Sequence, residues 1–252
     1  MKYEYVMNNF YTEEEKQKIW NEIMYLRAND FGWNAPSRDQ NAYDNKTGEM
    51  MLRNALQFGH YYRGVMDELH AYKSSIYIYG NKLCKWRKAL LDYSDIYANI
   101  SAINDRSSFI TYYPGGGSEY KQHSDDGMYT MLSYFFQEPK NFTGGDFFVQ
   151  DRRYEIHNGF TIIFPSWMKH GCTEIELIDK SIEGSGRYAV ANFFFVNPAH
   201  GNSRENNYFF NVLQNNDGRE IVLFDNTPVI YDENYNYPVG SRYYNRRYER
   251  RK

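Results

Sequence analysis

The chain has 252 residues and a formal net charge of −3, so no overall field draws it to nucleic acid or to an acidic membrane surface. Aromatic residues make up 19% of it, 26 Tyr and 17 Phe among them, a composition that favours strands. Two cysteines, Cys84 and Cys172, are too few for a disulfide framework. The start, MKYEYVMNNFYTEEEKQ, lacks the apolar segment of a signal peptide, and no run of about 18 apolar residues could span a membrane, so the expected setting is intracellular and cytoplasmic.

Thr12-Glu13-Glu14-Glu15 is a capping-box pattern. Ile19, Ile23 and Leu26 follow at helical spacing, joined by Trp20 and Met24, which predicts a helix over Glu13–Arg27 packed outside a sheet. Residues 30–50 read as a polar loop with Gly32, Pro36 and Gly48. Helices are expected over Ala55–Tyr72 and Lys82–Tyr93, with a short strand at Ile76–Tyr79 between them. After residue 100 the pattern becomes strand-like: Ser108–Tyr113, stopped by Pro114-Gly115-Gly116-Gly117; Met128–Phe136; Asp146–Gln150 after the turn Thr143-Gly144-Gly145; Phe160–Phe164, bounded by Pro165; and Tyr188–Val196. Short strands at near-regular spacing with Gly/Pro turns predict a β-sandwich or barrel-like jelly roll, mainly β with flanking helices (α+β). The tail Arg242–Lys252 carries six basic residues and one acidic one. It reads as a solvated terminus, with contact to RNA or an acidic partner as the sharper alternative.

His123 and Asp125, in SEYKQHSDDG, stand two apart, and on a regular strand they share a face. The same alternation sets Asp126 on the other side. His170, after the Pro165 turn, is the third candidate ligand, because a sandwich would return it beside the first strand. Two His and one carboxylate on one face of an octahedron leave three positions open, the donor set of non-haem Fe(II) oxygenases. Arg187 opens the next apolar strand and offers planar, bidentate recognition of a carboxylate. Cys172, two residues after His170, is expected on the same side, as a buried hydrophobe or a pocket wall. Trp167 reads as core or pocket wall, His157 and Asp146 as turn residues, and His60, His70 and His200 as structural. Thr161 and Ile163 share one strand face.

From YYPGGGSEYKQHSD onward the chain resembles the 2-oxoglutarate- and Fe(II)-dependent dioxygenases, prolyl hydroxylases in particular. The likeness runs through Leu132–Gln137, Gly144-Gly145-Asp146, Gly159–Pro165, His170 and Arg187–Val190, and covers roughly Phe109 to Phe195. It implies a double-stranded β-helix (jelly roll), with Fe(II) held by His123, Asp125 and His170. It further implies a 2-oxoglutarate cosubstrate anchored by Arg187 with help from Tyr113, a pocket aromatic at Tyr134 or Phe135, O2 as co-reactant and ascorbate as an accessory. The implied reaction is hydroxylation of an unactivated C–H bond, first of a prolyl residue in a protein or peptide, with 2-oxoglutarate converted to succinate and CO2. A free amino acid or other small molecule, or a non-catalytic metal-binding jelly-roll module, are the alternatives. Nucleobases fit less well, because Arg187-Tyr188-Ala189-Val190-Ala191-Asn192-Phe193 lacks the second arginine of the repair demethylases. His170 and Arg187 stand seventeen positions apart, against about nine or ten in the family. The extra residues, around Glu176–Gly186, read as a longer hairpin turned by Gly184 and Gly186, with Lys180 as an alternative anchor. The chain is expected to be a single domain over 1–252: helical and mixed support over 1–100, the catalytic β-helix core over 101–200 and an extension with the basic tail over 201–252.

Overall fold

The structure, a computed structural model, describes residues 3–28, 33–34, 44, 47–58, 75–103 and 105–196. The strands are β1 (Tyr5–Val6), β2 (Trp33–Asn34), β3 (Leu52–Arg53), β4 (Leu56–Phe58), β5 (Asp105–Tyr113), β6 (Ser118–His123), β7 (Tyr129–Phe135), β8 (Phe142–Gly144), β9 (Phe147–Val149), β10 (Arg152–Tyr154), β11 (Thr161–Pro165), β12 (His170–Leu177) and β13 (Arg187–Phe195). They form a seven-stranded sheet in the order β1-β11-β7-β13-β5-β4-β2 and a six-stranded one in the order β10-β9-β12-β6-β3, with β8 on β12. From β5 onward the chain alternates between the two sheets: β5, β7, β11 and β13 fall in one, and β6, β9 and β12 in the other. That alternation is a double-stranded β-helix.

The seven-stranded sheet is buried on both faces, which is why β7 reads as an unbroken apolar and hydroxyl run. Side-chain alternation sorts its residues. Tyr129, Met131, Phe135, Ile163, Tyr188 and Val190 join an outer core, while Leu132, Tyr134, Ile162, Phe164, Ala189 and Ala191 face inward between the sheets. The outer core is closed by the helix α1 (Glu13–Ala28), which buries Ile19, Ile23 and Leu26. Its capping box is made: Thr12 N–H donates to Glu15 Oε2 at 2.8 Å and Glu15 N–H to Thr12 Oγ1 at 3.2 Å. Trp20 meets Tyr188 edge-on at 5.5 Å, tying α1 to the sheet.

Four expectations are corrected. Ile76–Tyr79 is not a strand but part of a helix, Ser75–Gly80. Glu22 of α1 accepts from the Ile76 N–H at 3.1 Å, satisfying an end group of that helix, and packing of Ile76 and Tyr79 in the outer core overrides their strand preference. The helix expected from Ala55 instead begins as β4, paired with β5 through Leu56↔Tyr112 and Phe58↔Ile110; residues 59–74 lie outside the described ones. The loop expected over 30–50 contains β2. Finally, β12 and β13 are not two arms of a hairpin. They lie in different sheets, and residues 178–186 cross between them. The helical stretch over Lys82–Tyr93 is present as a 3-10 turn, Asn81–Trp86, followed by an α-helix, Arg87–Tyr93. Among the described residues no helix is long and apolar enough to cross a membrane. His60, His70, His200 and the basic tail lie outside the described residues.

Gly186 sets the entry into β13. Its φ is +121°, and a Cβ there would stand 2.4 Å from the Tyr113 carbonyl oxygen. Gly186→Ala is expected to cost about 3 kcal/mol from backbone strain and overpacking together. Thermal unfolding should register this as a drop of roughly 6–12 °C in Tm.

Candidate metal centre

The site lies between the two sheets. On β6 and β12, Tyr120 pairs with Cys172 and His123 with His170. Three steps on β6 therefore match two on β12, and this bulge turns both Tyr120 and His123 inward. Tyr120 stacks on the His123 ring at 3.6 Å. The His123 and His170 rings lie 4.3 Å apart.

Asp125 reaches the same point by a different route from the one expected. β6 ends at His123, so strand alternation does not place it. Its N–H donates to the Ser166 carbonyl at 2.9 Å, and Thr130 Oγ1 donates to its Oδ2 at 2.8 Å. Thr130 is itself 2.9 Å from the Ser166 hydroxyl. Asp125 Oδ2 is then 3.1 Å from His170 Nε2, and Oδ1 is 3.5 Å from His123 Nε2. Asp126 is exposed.

The three residues offer ligand atoms that all lie within 4.8 Å of one another. Each imidazole turns Nδ1 to a backbone carbonyl, His123 to Lys121 at 2.8 Å and His170 to Met168 at 2.9 Å. With the proton on Nδ1, both Nε2 lone pairs face the carboxylate, the outer-sphere arrangement that prepares histidine for a metal. Burial, with His170 beside it, lowers the His123 pKa and favours the neutral ring. Burial alone would raise the Asp125 carboxyl, but the adjacent His170 and His123 outweigh it and hold it below the usual carboxylate range. Two ring nitrogens and a carboxylate converge on one point, so the donor set suits a divalent metal, and its three-donor face suits Fe(II).

Arg187 stands in the same cavity of about 270 Å³ as the triad. It is 1% exposed and pairs in register with Tyr113 on β5. Its guanidinium lies 4.1 Å from the Tyr113 ring and 4.9 Å from that of Tyr134. Nη1 donates to the Gly145 carbonyl at 2.5 Å and Nη2 contacts Cys172 Sγ at 2.9 Å, while Nε has no hydrogen-bond partner. The groups that act on its charge are Cys172, Tyr113 and Tyr134, and among the described residues no carboxylate pairs with it. A buried arginine ordinarily has an anionic partner, so this one is suited to an anion brought by a ligand.

No protein-family model matches the sequence, and neither does any curated protein. Solved structures do resemble the fold. A Pseudomonas putida prolyl-4-hydroxylase is 14% identical, with 76% of this chain and 92% of that one covered at a TM-score of 0.46. A Phytophthora capsici prolyl 4-hydroxylase is 14% identical, with 76% and 58% covered at 0.46. EctD from S. alaskensis, solved with 2-oxoglutarate and 5-hydroxyectoine, is 15% identical, with 76% and 71% covered at 0.41.

The structure thus brings together His123, Asp125, His170, Arg187, Tyr113, Tyr134 and Cys172. It resolves the register on β7: Tyr134 faces the cavity, and Phe135 lies in the outer core. Lys180 is exposed and outside the cavity wall. Trp167, expected as core or pocket wall, is instead 54% exposed and meets Tyr3 edge-on. His157 is exposed, as expected of a turn residue. Tyr120 and Ser166 escape a sequence reading because a bulge and a turn place them, and Thr130 on β7 escapes it because its partner Asp125 lies past the end of β6. Phe109, Phe193 and Phe195 also line the cavity, and they were within reach of one: they continue the alternation that starts at Tyr113 and Arg187.

Proposed function

We propose that this chain is an Fe(II)- and 2-oxoglutarate-dependent dioxygenase that hydroxylates an unactivated C–H bond, with a prolyl residue of a protein or peptide as first substrate. The observation that carries the reading is Arg187, a buried guanidinium without a protein carboxylate, in one cavity with the His123–Asp125–His170 set. A closed structural metal site has no use for such an anchor. Fe(II) bound there would supply the activation of O2, coupled to conversion of 2-oxoglutarate to succinate and CO2.

The chain's own residues supply geometry and shielding. His123, Asp125 and His170 would hold the metal, and Thr130 fixes the carboxylate rotamer by its hydrogen bond. Arg187 would take the far carboxylate of 2-oxoglutarate through its planar fork, with its ring neighbours Tyr113 and Tyr134 beside it. Burial pushes both phenols up, Tyr113 well above the usual range, so they remain neutral hydrogen-bond donors. Leu132, Phe147, Ala189 and Ala191 give the cavity an apolar wall that excludes water. We place the reaction in the cytoplasm, where Fe(II) and the free Cys172 thiol both persist.

The test is an anaerobic visible spectrum of the purified protein with Fe(II) and 2-oxoglutarate. The expected result is a weak metal-to-ligand charge-transfer band that His170→Ala abolishes. Absence of the band, together with tight Zn(II) binding, would leave a metal-binding jelly-roll module instead.

A further inference from the structure

We propose that Cys172 is a modification site for hydrogen peroxide, and that its oxidation to a sulfinate closes the Arg187 anchor to 2-oxoglutarate. The closure rests on the dioxygenase reading above. His170 and Cys172 both line the cavity from β12, about 7 Å apart along the strand. The thiol is free and 4% exposed, and the cavity is the route by which a small neutral oxidant reaches it. Arg187 Nη2 donates to its Sγ at 2.9 Å. Arg187 is itself 1% exposed, its Nε has no hydrogen-bond partner, and among the described residues no carboxylate acts on its charge. A buried guanidinium therefore touches a thiol where an anion is wanting. A cation against sulfur is also the electropositive setting in which cysteines are oxidised.

Oxidation supplies that anion from the chain itself. The sulfur attacks one peroxide oxygen: an S–O bond forms, the O–O bond breaks, and the thiol proton leaves with the second oxygen as water, giving the sulfenic acid. Among the described lining residues there is no second cysteine to condense with it. A second peroxide then adds the next oxygen with loss of another water. Sulfur has given up four electrons, two to each peroxide, and the sulfinic acid releases its proton to solvent. A sulfinate carries two oxygens on one atom, as a carboxylate does, and offers them to the open Nε and to Nη2. Tyr113, Tyr120 and Tyr134 lie close enough for charge on Cys172 to act on each, and burial keeps all three phenols protonated, as donors to an anion. The far carboxylate of 2-oxoglutarate then meets a competitor tethered at the anchor, with an effective concentration of about millimolar or above.

The experiment treats the full chain with hydrogen peroxide and a metal chelator, at a dose that oxidises Met50, which is 38% exposed. Peptide mapping by mass spectrometry, which separates Cys172 from Cys84, is expected to find two added oxygen atoms on Cys172. Peroxide and chelator are then removed, Fe(II) is loaded anaerobically, and 2-oxoglutarate is titrated against the charge-transfer band. The half-developing concentration is expected to rise at least about tenfold on oxidation, with Fe(II) affinity in anaerobic calorimetry unchanged. In Cys172→Ala it should be the same before and after treatment. Cys172→Asp, which sets a carboxylate beside Arg187 without peroxide, should show the loss untreated. A Cys172 left unmodified at a dose that oxidises Met50 overturns the modification site. A sulfinate at Cys172 with unchanged 2-oxoglutarate affinity, or an equal loss in treated Cys172→Ala, overturns the closure and leaves the dioxygenase reading in place. Absence of any band in the untreated protein overturns that reading and the closure together, while the mass measurement still decides the modification site.

Discussion

Exchange of Arg187 for Met raises the 2-oxoglutarate concentration that half-saturates turnover by about 10²–10⁴-fold. A charge-assisted hydrogen bond contributes about 1.5–3 kcal/mol, and a guanidinium facing a carboxylate makes two of them, which converts to that range at 1.4 kcal/mol per decade. Met is of similar length and apolar, so the wall between Tyr113 and Tyr134 stays filled. Arg187→Lys keeps the charge but loses the fork, and is expected to fall between wild type and Met. If the anchor acts on binding alone, KM rises and kcat at saturating 2-oxoglutarate changes little. An unchanged KM in Arg187→Met, with a raised one in Lys180→Met, would move the anchor to the exposed crossover between β12 and β13.

His170→Ala is expected to abolish Fe(II) binding at micromolar metal in anaerobic calorimetry. Losing an outer hydrogen-bonding partner of a metal ligand costs about 10–100-fold in affinity, and losing one of three ligands costs more. The residue is 3% exposed, and its ring contacts Phe164 at 4.6 Å and Phe147 at 6.1 Å. The truncation therefore also leaves a small void, and a far-UV spectrum and Tm must accompany the titration. His170→Gln controls for the void, since it fills much of the volume and still binds metal poorly. Retained micromolar affinity in a folded His170→Ala would remove this histidine from the ligand set.

The parts of the molecule legible in the sequence are those where a local pattern and the tertiary environment agree. The Thr12–Glu15 box opens α1 as written, since both of its reciprocal hydrogen bonds are local. β5, β7, β11 and β13 read clearly because strands buried on both faces leave long apolar runs. His123 and His170 pair in the sequence because a sandwich must return the chain beside the first strand, and they are register partners. The remainder depends on contacts that no local window holds. Ile76–Tyr79 has strand composition, yet Glu22, fifty-four positions away, caps it as a helix. Asp125 was chosen over Asp126 by an alternation that stops at His123; the Ser166 carbonyl and the Thr130 hydroxyl select it instead. β12 buries His170, Gly171 and Cys172 in a row before its pattern mixes, which hides it as a strand. Trp167, just before His170, reads as core or pocket wall, but the turn after Pro165 points it to solvent.

The crossover at 178–186 decouples two quantities that a sequence motif treats as one. The place of Arg187 is set by the last rung of the β5–β13 ladder, where it faces Tyr113. The count of residues back to His170 is set by an exposed connection between sheets. That connection can drift in length through insertion and deletion, provided the glycine before Arg187 is kept. A search template with fixed ligand-to-anchor spacing is thus blind to such a chain, whereas a template written in ladder positions would recover it.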